Sequence, residues 1–232
     1  MKNICFIGVF DKLDLILYVS KILSNLNKRV LIVDATTLQK SKYIVPTINP
    51  TKSYITSFGG IDIAIGFESY EQIERYIGLT EEQRMKYDYI LVDIDNGNVF
   101  NNFNNEDTIK SYFVTSFDLY SIRKGLETIK HIEKPIKITK VLFSKEINEE
   151  DEYYLDYLSL GHKIIWEDNK MNFPYDTSDL EVMIENQKVS KIRIKGLSQQ
   201  YKDTLEYMLT DIISDINLIN LRRIMKNIER EG

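Results

Sequence analysis

The 232-residue sequence contains one cysteine, four prolines and ten glycines. With Cys5 as the single cysteine no disulfide can form within the chain, so we expect a reducing, cytoplasmic compartment. No run of about 18 apolar residues is present, which excludes a membrane-spanning helix. The short apolar run at the N terminus leads into an amphipathic pattern, so we expect no secretion signal. A formal net charge of −5 argues against a dominant nucleic-acid surface.

Strand-like and helix-like patterns alternate along the chain. Strands are predicted over residues 3–10, 29–37, 61–67, 87–95, 111–116, 136–145 and 162–168. Helices are predicted over residues 12–27, 69–77, 118–132, 146–158, 177–187, 198–214 and 215–230, with a further short helix starting at Thr80 and Glu82. Residues 38–60 are interpreted as irregular and 96–107 as a mobile loop. This alternation predicts an α/β fold, a mostly parallel twisted sheet with helices on both faces.

Three segments carry a family resemblance: "NKRVLIVDATT" (27–37), "YDYILVDIDNG" (87–97) and the stretch from "FPYDTSDLE" to "YMLTDI" (173–212). In this order and spacing they resemble the MinD/ParA-like deviant Walker A ATPases of the P-loop class. The resemblance implies a P-loop NTPase-like fold over residues 1–214. It also implies ATP with magnesium as cofactor, and a monomer–dimer switch serving partition, division-site placement, pilus or flagellar assembly, or conjugation.

The loop after the first strand, "GVFDKLD" (8–14), departs from the family pattern K-G-G-x-G-K-[ST]. The alignment implied by the resemblance puts Lys12 on the Walker lysine and Gly8 on one loop glycine. Ile7 then falls on the signature lysine. Asp11 replaces a glycine, and Leu13 replaces the hydroxyl residue that ligates magnesium.

These replacements oppose phosphate binding. Leu13 cannot coordinate a metal ion, and Asp11 brings a negative charge to the phosphate position. At 4 Å and an effective dielectric constant of about 20, each like-charge contact costs roughly 4 kcal/mol before relaxation. Asp11 and Asp14 instead predict a capping box at the start of the first helix. Lys12 is then expected to pair with either aspartate or to point into solvent.

Three further positions belong to the nucleotide site that the resemblance implies. Asp34 and Asp93 end buried strands and would serve water activation and magnesium binding, and Ser144 lies where the family often has an adenine-reading Asn. We interpret Asp34 and Asp93 as strand-end carboxylates retained by the fold, and the set Gly8, Asp11, Lys12, Asp34, Asp93 and Ser144 as a degenerate nucleotide site. We therefore expect no catalytic residue, no bound metal and no resident cofactor; the alternative is ATP with magnesium.

The last segment, residues 215–232, is predicted to be an amphipathic helical tail outside the α/β domain 1–214. Its stripe of Ile216, Ile219, Leu221, Ile224 and Ile228 should pack on the domain or on a partner. A membrane surface is disfavoured, because interfacial Phe and Trp are lacking. Binding of nucleic acid through the basic segment 189–196, interpreted as an edge strand, is also disfavoured.

Together these features favour a nucleotide-independent MinD/ParA-like adaptor or positioning protein that binds a protein partner and forms a homodimer. The alternative is an active ATP-dependent monomer–dimer switch of the same type. A third hypothesis, a partition-like protein that associates with DNA or a membrane, ranks below both.

Overall fold

The computed structural model describes residues 1–47, 51–80, 83, 85–130, 132, 134–146 and 148–231. The strands are β1 (Lys2–Ile7), β2 (Val30–Asp34), β3 (Tyr54–Phe58), β4 (Ile61–Ile65), β5 (Tyr89–Ile94), β6 (Thr108–Thr115), β7 (Ile136–Phe143) and β8 (Ile164–Phe173). The helices are α1 (Leu13–Asn25), α2 (Ser41–Ile44), α3 (Tyr70–Tyr76), α4 (Gly97–Phe103), α5 (Leu119–Thr128), α6 (Glu149–Ser159), α7 (Thr177–Lys188), α8 (Gln199–Ile212) and α9 (Leu218–Glu231).

The eight strands form one sheet in the order β3-β4-β2-β5-β1-β6-β7-β8. β3 and β4 make an antiparallel hairpin at one edge, and every other neighbouring pair is parallel. The register pairs Asp34 at the end of β2 with Asp93 in β5. The predicted α/β class with a mostly parallel sheet is confirmed. Because β2 and β5 are parallel, both aspartates lie at the carboxyl ends of the strands, on one side of the sheet that we call the carboxyl edge.

Each face of the sheet is covered by helices. One face packs against α1, α7, α8 and α9 through a core that includes Ile16, Tyr201 and Leu221. The other face packs against α3, α4, α5 and α6, with Phe100 and Leu155 in its core. The central strands are apolar on both sides, as expected for parallel strands buried between two helical layers.

The structure corrects the sequence prediction in two segments. Residues 96–107, predicted to be a mobile loop, contain α4, in which Asn96 caps the helix by accepting from the N–H of Asn98 at 2.9 Å. Phe100 and Phe103 anchor that helix in the core. Residues 38–60, interpreted as irregular, contain α2 and the edge strand β3. Both segments are rich in polar residues, which hid the spacing of the few buried side chains.

Two other predictions concern the surface. The basic segment 189–196, interpreted as an edge strand, is a loop between α7 and α8, so the edge-strand interpretation is wrong. The helix predicted to start at Thr80 and Glu82 involves Glu82, which lies outside the described residues. The predicted cap of α3 is confirmed, because Ser69 Oγ accepts from the N–H of Gln72.

Helix α9 packs against α1 and α8. Leu221, Met225 and Ile228 are buried in this contact, and Arg222 makes a bidentate ion pair with Glu206 of α8. The predicted stripe is wrong at one position, because Ile219 is 81% exposed. The chain's own helices therefore cover the apolar face of α9, while the division into a domain and a tail stays a prediction. Within the described part of the chain, no helix is long and apolar enough to cross a membrane.

Candidate functional site

The loop between β1 and α1 begins at Gly8, whose φ of +130° lies in the region that favours glycine. A Cβ atom at this position would lie 2.4 Å from the carbonyl oxygen of Val114 in β6. The glycine therefore lets the loop cross close to the backbone of β6. Its presence has a packing cause that does not require a phosphate.

Phe10 and Asp11 follow in backbone conformations with negative φ, so the loop needs no glycine at these positions. The Phe10 ring packs against Phe143 at a centroid distance of 5.0 Å and against Tyr175 at 5.9 Å. The middle of the loop is thus held by an aromatic cluster at the ends of β7 and β8.

Lys12 turns inward and is 3% exposed. Its Nζ donates to the carbonyl oxygen of Gly8 at 2.6 Å and lies 2.6 Å from Oδ1 of Asp93. The expectation that Lys12 pairs with Asp11 or Asp14, or points into solvent, is wrong. Burial of the ammonium requires an anion nearby, and the buried carboxylate at the end of the neighbouring strand β5 supplies it.

The two strand-end aspartates are buried and lie side by side. Burial raises the pKa of Asp93 to about 7, since desolvation and the charge of Asp34 outweigh the attraction of Lys12. Asp34 accepts hydrogen bonds from Thr36 Oγ1 at 2.6 Å and from the N–H of Ser41 at 2.9 Å. Asp34 thus organises the start of α2, and Asp93 neutralises Lys12.

The predicted capping box at the start of α1 is not formed. Asp11 Oδ1 makes only a long contact of 3.4 Å with the N–H of Leu13, and its other oxygen pairs with Lys40. Asp14 accepts from Gln187 Nε2 of α7 at 2.9 Å instead of reaching back to the loop. Tertiary partners on α7 and on the β2–α2 loop take both carboxylates away from the helix end.

The β2–α2 loop, residues 35–40, is tied across this edge of the sheet. Besides the Thr36–Asp34 and Lys40–Asp11 contacts, Thr37 donates to Oδ1 of Asp95 through its N–H at 2.9 Å and its Oγ1 at 3.0 Å. Gln39 in this loop has a φ of +48°, a strained conformation that its neighbours must stabilise. The loop is thus tied to the end of β2, to the residue after β5 and, through Lys40 and Asp11, to the β1–α1 loop.

Lys40, Thr37 and Asp95 were not among the site residues predicted from sequence. The segment "DATT" (34–37) carried one usable signal, because Thr residues after a strand-end aspartate commonly bond to it. The pairing of Lys40 with Asp11 and of Thr37 with Asp95 joins residues far apart in sequence. No local pattern could indicate those pairs.

A small cleft of about 170 Å³ lies between the two loops and is lined by Gly8, Val9, Phe10, Asp11, Lys12, Leu13, Thr36, Leu38, Lys40, Asp93 and Asp95. Of the six predicted site residues, Gly8, Asp11, Lys12 and Asp93 meet here, and Asp34 lies beneath Thr36. Ser144, just after β7, is not among the described residues that line the cleft, and its Oγ donates to the carbonyl of Glu146. Ser144 therefore lies outside the lining of this cleft.

The cleft does not fit magnesium ATP as its residues stand. Leu13, which the sequence resemblance aligns with a metal-ligating hydroxyl residue, is 2% exposed and apolar. The ammonium of Lys12 already has two oxygen partners, and Asp11 and Asp95 add negative charge to the lining. An anion with several charges would meet more carboxylates than free donors here.

No protein-family model matches the sequence, and no curated protein matches it. Solved structures do match its fold. A cell division ATPase MinD of Pyrococcus furiosus superposes with a TM-score of 0.57 at 15% identity, covering 93% of this chain and 99% of that one. A ParA family ATPase of Chlorobium tepidum gives 0.55 at 18% identity, covering 90% and 98%. The MinC:MinD cell division protein complex of Aquifex aeolicus gives 0.51 at 16% identity, covering 90% and 96%.

These likenesses show a shared fold. The fold implied by the sequence resemblance is confirmed over most of the chain. At identities below 20% these superpositions do not show what the β1–α1 loop binds.

Proposed function

We propose that this protein is a nucleotide-independent adaptor or positioning protein built on the ParA/MinD fold. The observation that carries the proposal is the internal neutralisation of Lys12. Its ammonium lies 2.6 Å from both the Gly8 carbonyl oxygen and the Asp93 carboxylate, in a buried position. The positive charge that a phosphate loop offers to a nucleotide is used here to join the β1–α1 loop to β5.

The energetic consequence opposes nucleotide binding. A phosphate that recruits Lys12 must leave Asp93 without its cation at 4% exposure. Breaking a buried ion pair by taking away one partner costs about 3–5 kcal/mol. The negative charge of Asp11 adds to that cost, and the loop offers no hydroxyl that could hold a metal ion in compensation.

A protein partner is proposed from the surface of the same edge of the sheet. Four large apolar side chains that follow the ends of β2 and β6 are more than half exposed: Leu38, Tyr43, Leu119 and Tyr120. Both strands end on the same side of the sheet, and we propose that another protein covers these exposed apolar side chains. Among structures with this fold, MinD has been solved in complex with MinC, which supports a protein partner for this chain.

The experiment measures ATP and GTP turnover and the molar mass in solution, with and without magnesium nucleotide. We expect no turnover above that of a Lys12→Met/Asp93→Asn variant, whose buried pair is replaced by neutral groups. We also expect a molar mass that nucleotide does not change. Magnesium-dependent turnover, or a nucleotide-dependent dimer, that is lost in the double variant would contradict the proposal and support an ATP-dependent switch.

A further inference from the structure

Helix α6 carries an exposed stripe of large side chains. Tyr153, Tyr157 and Leu160, the residue just after the helix, follow one another at spacings of four and three and therefore lie on one face. Each is between 66% and 72% exposed, whereas Leu155 on the other side of the helix is fully buried. Single exposed apolar residues are ordinary, but these three are neighbours on the helix surface and form a continuous patch, which we call the α6 stripe.

Unpaired carboxylates lie at the start of the α6 stripe. Glu149 and Glu150 belong to the exposed first turn of the helix, and neither has an ion pair within the part of the chain that the structure describes. Glu149 lies one helical turn before the first tyrosine, on the same face. Two further carboxylates of this helix, those of Glu152 and Asp156, are already paired with Lys140. The stripe therefore joins aromatic rings to free negative charge at one end.

Helix α9 carries a complementary pattern on its outward side. Ile219, Arg223, Lys226 and Arg230 follow one another at spacings of four, three and four, opposite the side chains that pack on α1 and α8. All four are exposed. Arg223 donates to the side chain of Asn220 at 2.8 Å, but none of the three cations has an ion pair with another described residue. This α9 stripe joins positive charge to one apolar side chain.

The two stripes match when the helices are placed antiparallel. The first and last members of each stripe, counted from Glu149 in α6, are 11 positions apart, a distance of about 16 Å along a helix. Four pairs then face each other, one of opposite charge, two of a tyrosine with a cation, and one apolar: Glu149–Arg230, Tyr153–Lys226, Tyr157–Arg223 and Leu160–Ile219. Opposite charges attract across such a contact, and cations gain from the faces of aromatic rings.

We propose that the α6 stripe binds the α9 stripe of a second copy of this chain, so that copies associate head to tail. Helices α6 and α9 cover opposite faces of the sheet, so the two stripes of one copy meet different neighbours. A contact between two unlike surfaces leaves one stripe free at each end, and association continues as a chain or closes into a ring. The proposal does not depend on whether the cleft at the carboxyl edge binds a nucleotide.

The contact should be weak and sensitive to salt. One helix face against another buries less than the roughly 1,200 Å² that marks a stable protein interface. Association should therefore become visible only at protein concentrations of about 100 µM or above. The charged groups are exposed to solvent, where salt screens them within about 10 Å.

The first test is sedimentation velocity of the full-length protein between about 10 and 500 µM, at about 50 mM and about 500 mM salt. We expect the weight-average sedimentation coefficient to rise with protein concentration at low salt, and most of that rise to be lost at high salt. Protein that stays monomeric at every concentration would overturn the proposal. Binding of duplex DNA or anionic vesicles through α9 by such a monomer would assign the α9 stripe to another occupant.

Charge reversal identifies the two surfaces. Arg223→Glu/Arg230→Glu makes the α9 stripe acidic, and Glu149→Arg/Glu150→Arg makes the α6 stripe basic. All four positions are exposed, so both variants should fold. Neither variant alone should associate, because its two stripes carry like charge, whereas an equimolar mixture should associate again, because every contact then joins opposite charges. Variants that associate as the wild type does, or a mixture that stays monomeric, would contradict the proposal.

The aromatic part of the contact is tested by Tyr153→Ser/Tyr157→Ser. This variant should weaken association by about fivefold or more, since it removes both rings that face the cations. The matched control is Tyr120→Ser, at an exposed tyrosine of α5, which should leave association unchanged. An equal loss in the control and in the α6 variant would show that the contact does not use the α6 stripe and would overturn the proposal.

Discussion

The ammonium of Lys12 lies 2.6 Å from the carboxylate of Asp93, and both side chains are buried where β1 and β5 end side by side. The pair joins the first loop of the chain to the centre of the sheet. It makes Lys12 a structural residue, and the predictions about stability and ligand binding at this edge follow from that role.

Lys12→Met should lower the free energy of unfolding by about 3–5 kcal/mol at pH 8, because it leaves the carboxylate of Asp93 buried without a cation. The loss should be smaller at pH 5, where a protonated Asp93 needs no partner. Chemical denaturation at both pH values measures the effect.

The control for this prediction is Lys12→Met/Asp93→Asn, which removes both charges. It should recover most of the lost stability, because two neutral groups carry no unpaired charge. Additive losses in the double variant would show that the two residues act independently, and would contradict the structural role of the pair.

Gly8→Ala should destabilise the protein by about 3 kcal/mol or more, since a Cβ would add a clash to a strained backbone conformation. The added Cβ would lie 2.4 Å from the carbonyl oxygen of Val114. Gly78→Ala is the matched control, because Gly78 has a φ of +75° with no atom within 4 Å of the added Cβ. It should cost only about 1 kcal/mol, and equal losses in urea denaturation would remove the packing explanation for Gly8.

Asp14 should make the protein less stable as the pH rises through a defined window. Its pKa is about 6 in the folded protein, above the ordinary value of 3.8, so between these values the folded state holds a proton that the unfolded state has released. Stability from this group therefore falls from about pH 4 to pH 6 and is constant above.

The measurement for Asp14 is the free energy of unfolding of wild type and Asp14→Asn between pH 4 and pH 7. As the pH rises through this range, the free energy of unfolding of the variant should increase relative to that of wild type by about 1–2 kcal/mol, a value that allows for the partial exposure of Asp14. Asp168→Asn, at an exposed carboxylate on β8, is the control for the loss of one negative charge. A gain of the same size in the control would assign the effect to net charge.

Helix α9 should contribute to stability through Leu221. This side chain is fully buried, so Leu221→Ala should cost about 2–5 kcal/mol. Ile219→Ala lies on the same helix at an exposed position and should change stability by about 0.5 kcal/mol or less. The reverse ranking in thermal or chemical unfolding would show that α9 presents another face to the domain.

The sequence was informative where side chains follow a clear period. The apolar runs of β1, β2 and β5 and the spacing in α1 and α8 predicted the sheet and its helices, because parallel strands and their helices bury continuous apolar surface. Helix α4 was missed because its asparagine-rich surface hides a core contact made by Phe100 and Phe103, with Val99 packed beside them.

The candidate site was predictable only in part. The resemblance brought Gly8, Lys12, Asp34 and Asp93 to one edge, and the structure places them there. It did not indicate that Lys12 turns toward Asp93 or that Asp14 binds Gln187, since these partners are far apart in sequence. The start of α1 shows why local rules failed: two aspartates suited to capping found tertiary partners instead.

The most direct test of nucleotide independence is the equilibrium binding of magnesium ATP to the purified full-length protein, measured by titration calorimetry. With Lys12 held by Asp93 and Leu13 in place of a hydroxyl, we expect no saturable binding at nucleotide concentrations up to about 1 mM, an affinity weaker than about −4 kcal/mol. The Lys12→Met/Asp93→Asn variant should give the same trace. Saturable binding to wild type at micromolar concentrations, lost in that variant, would contradict the proposed function.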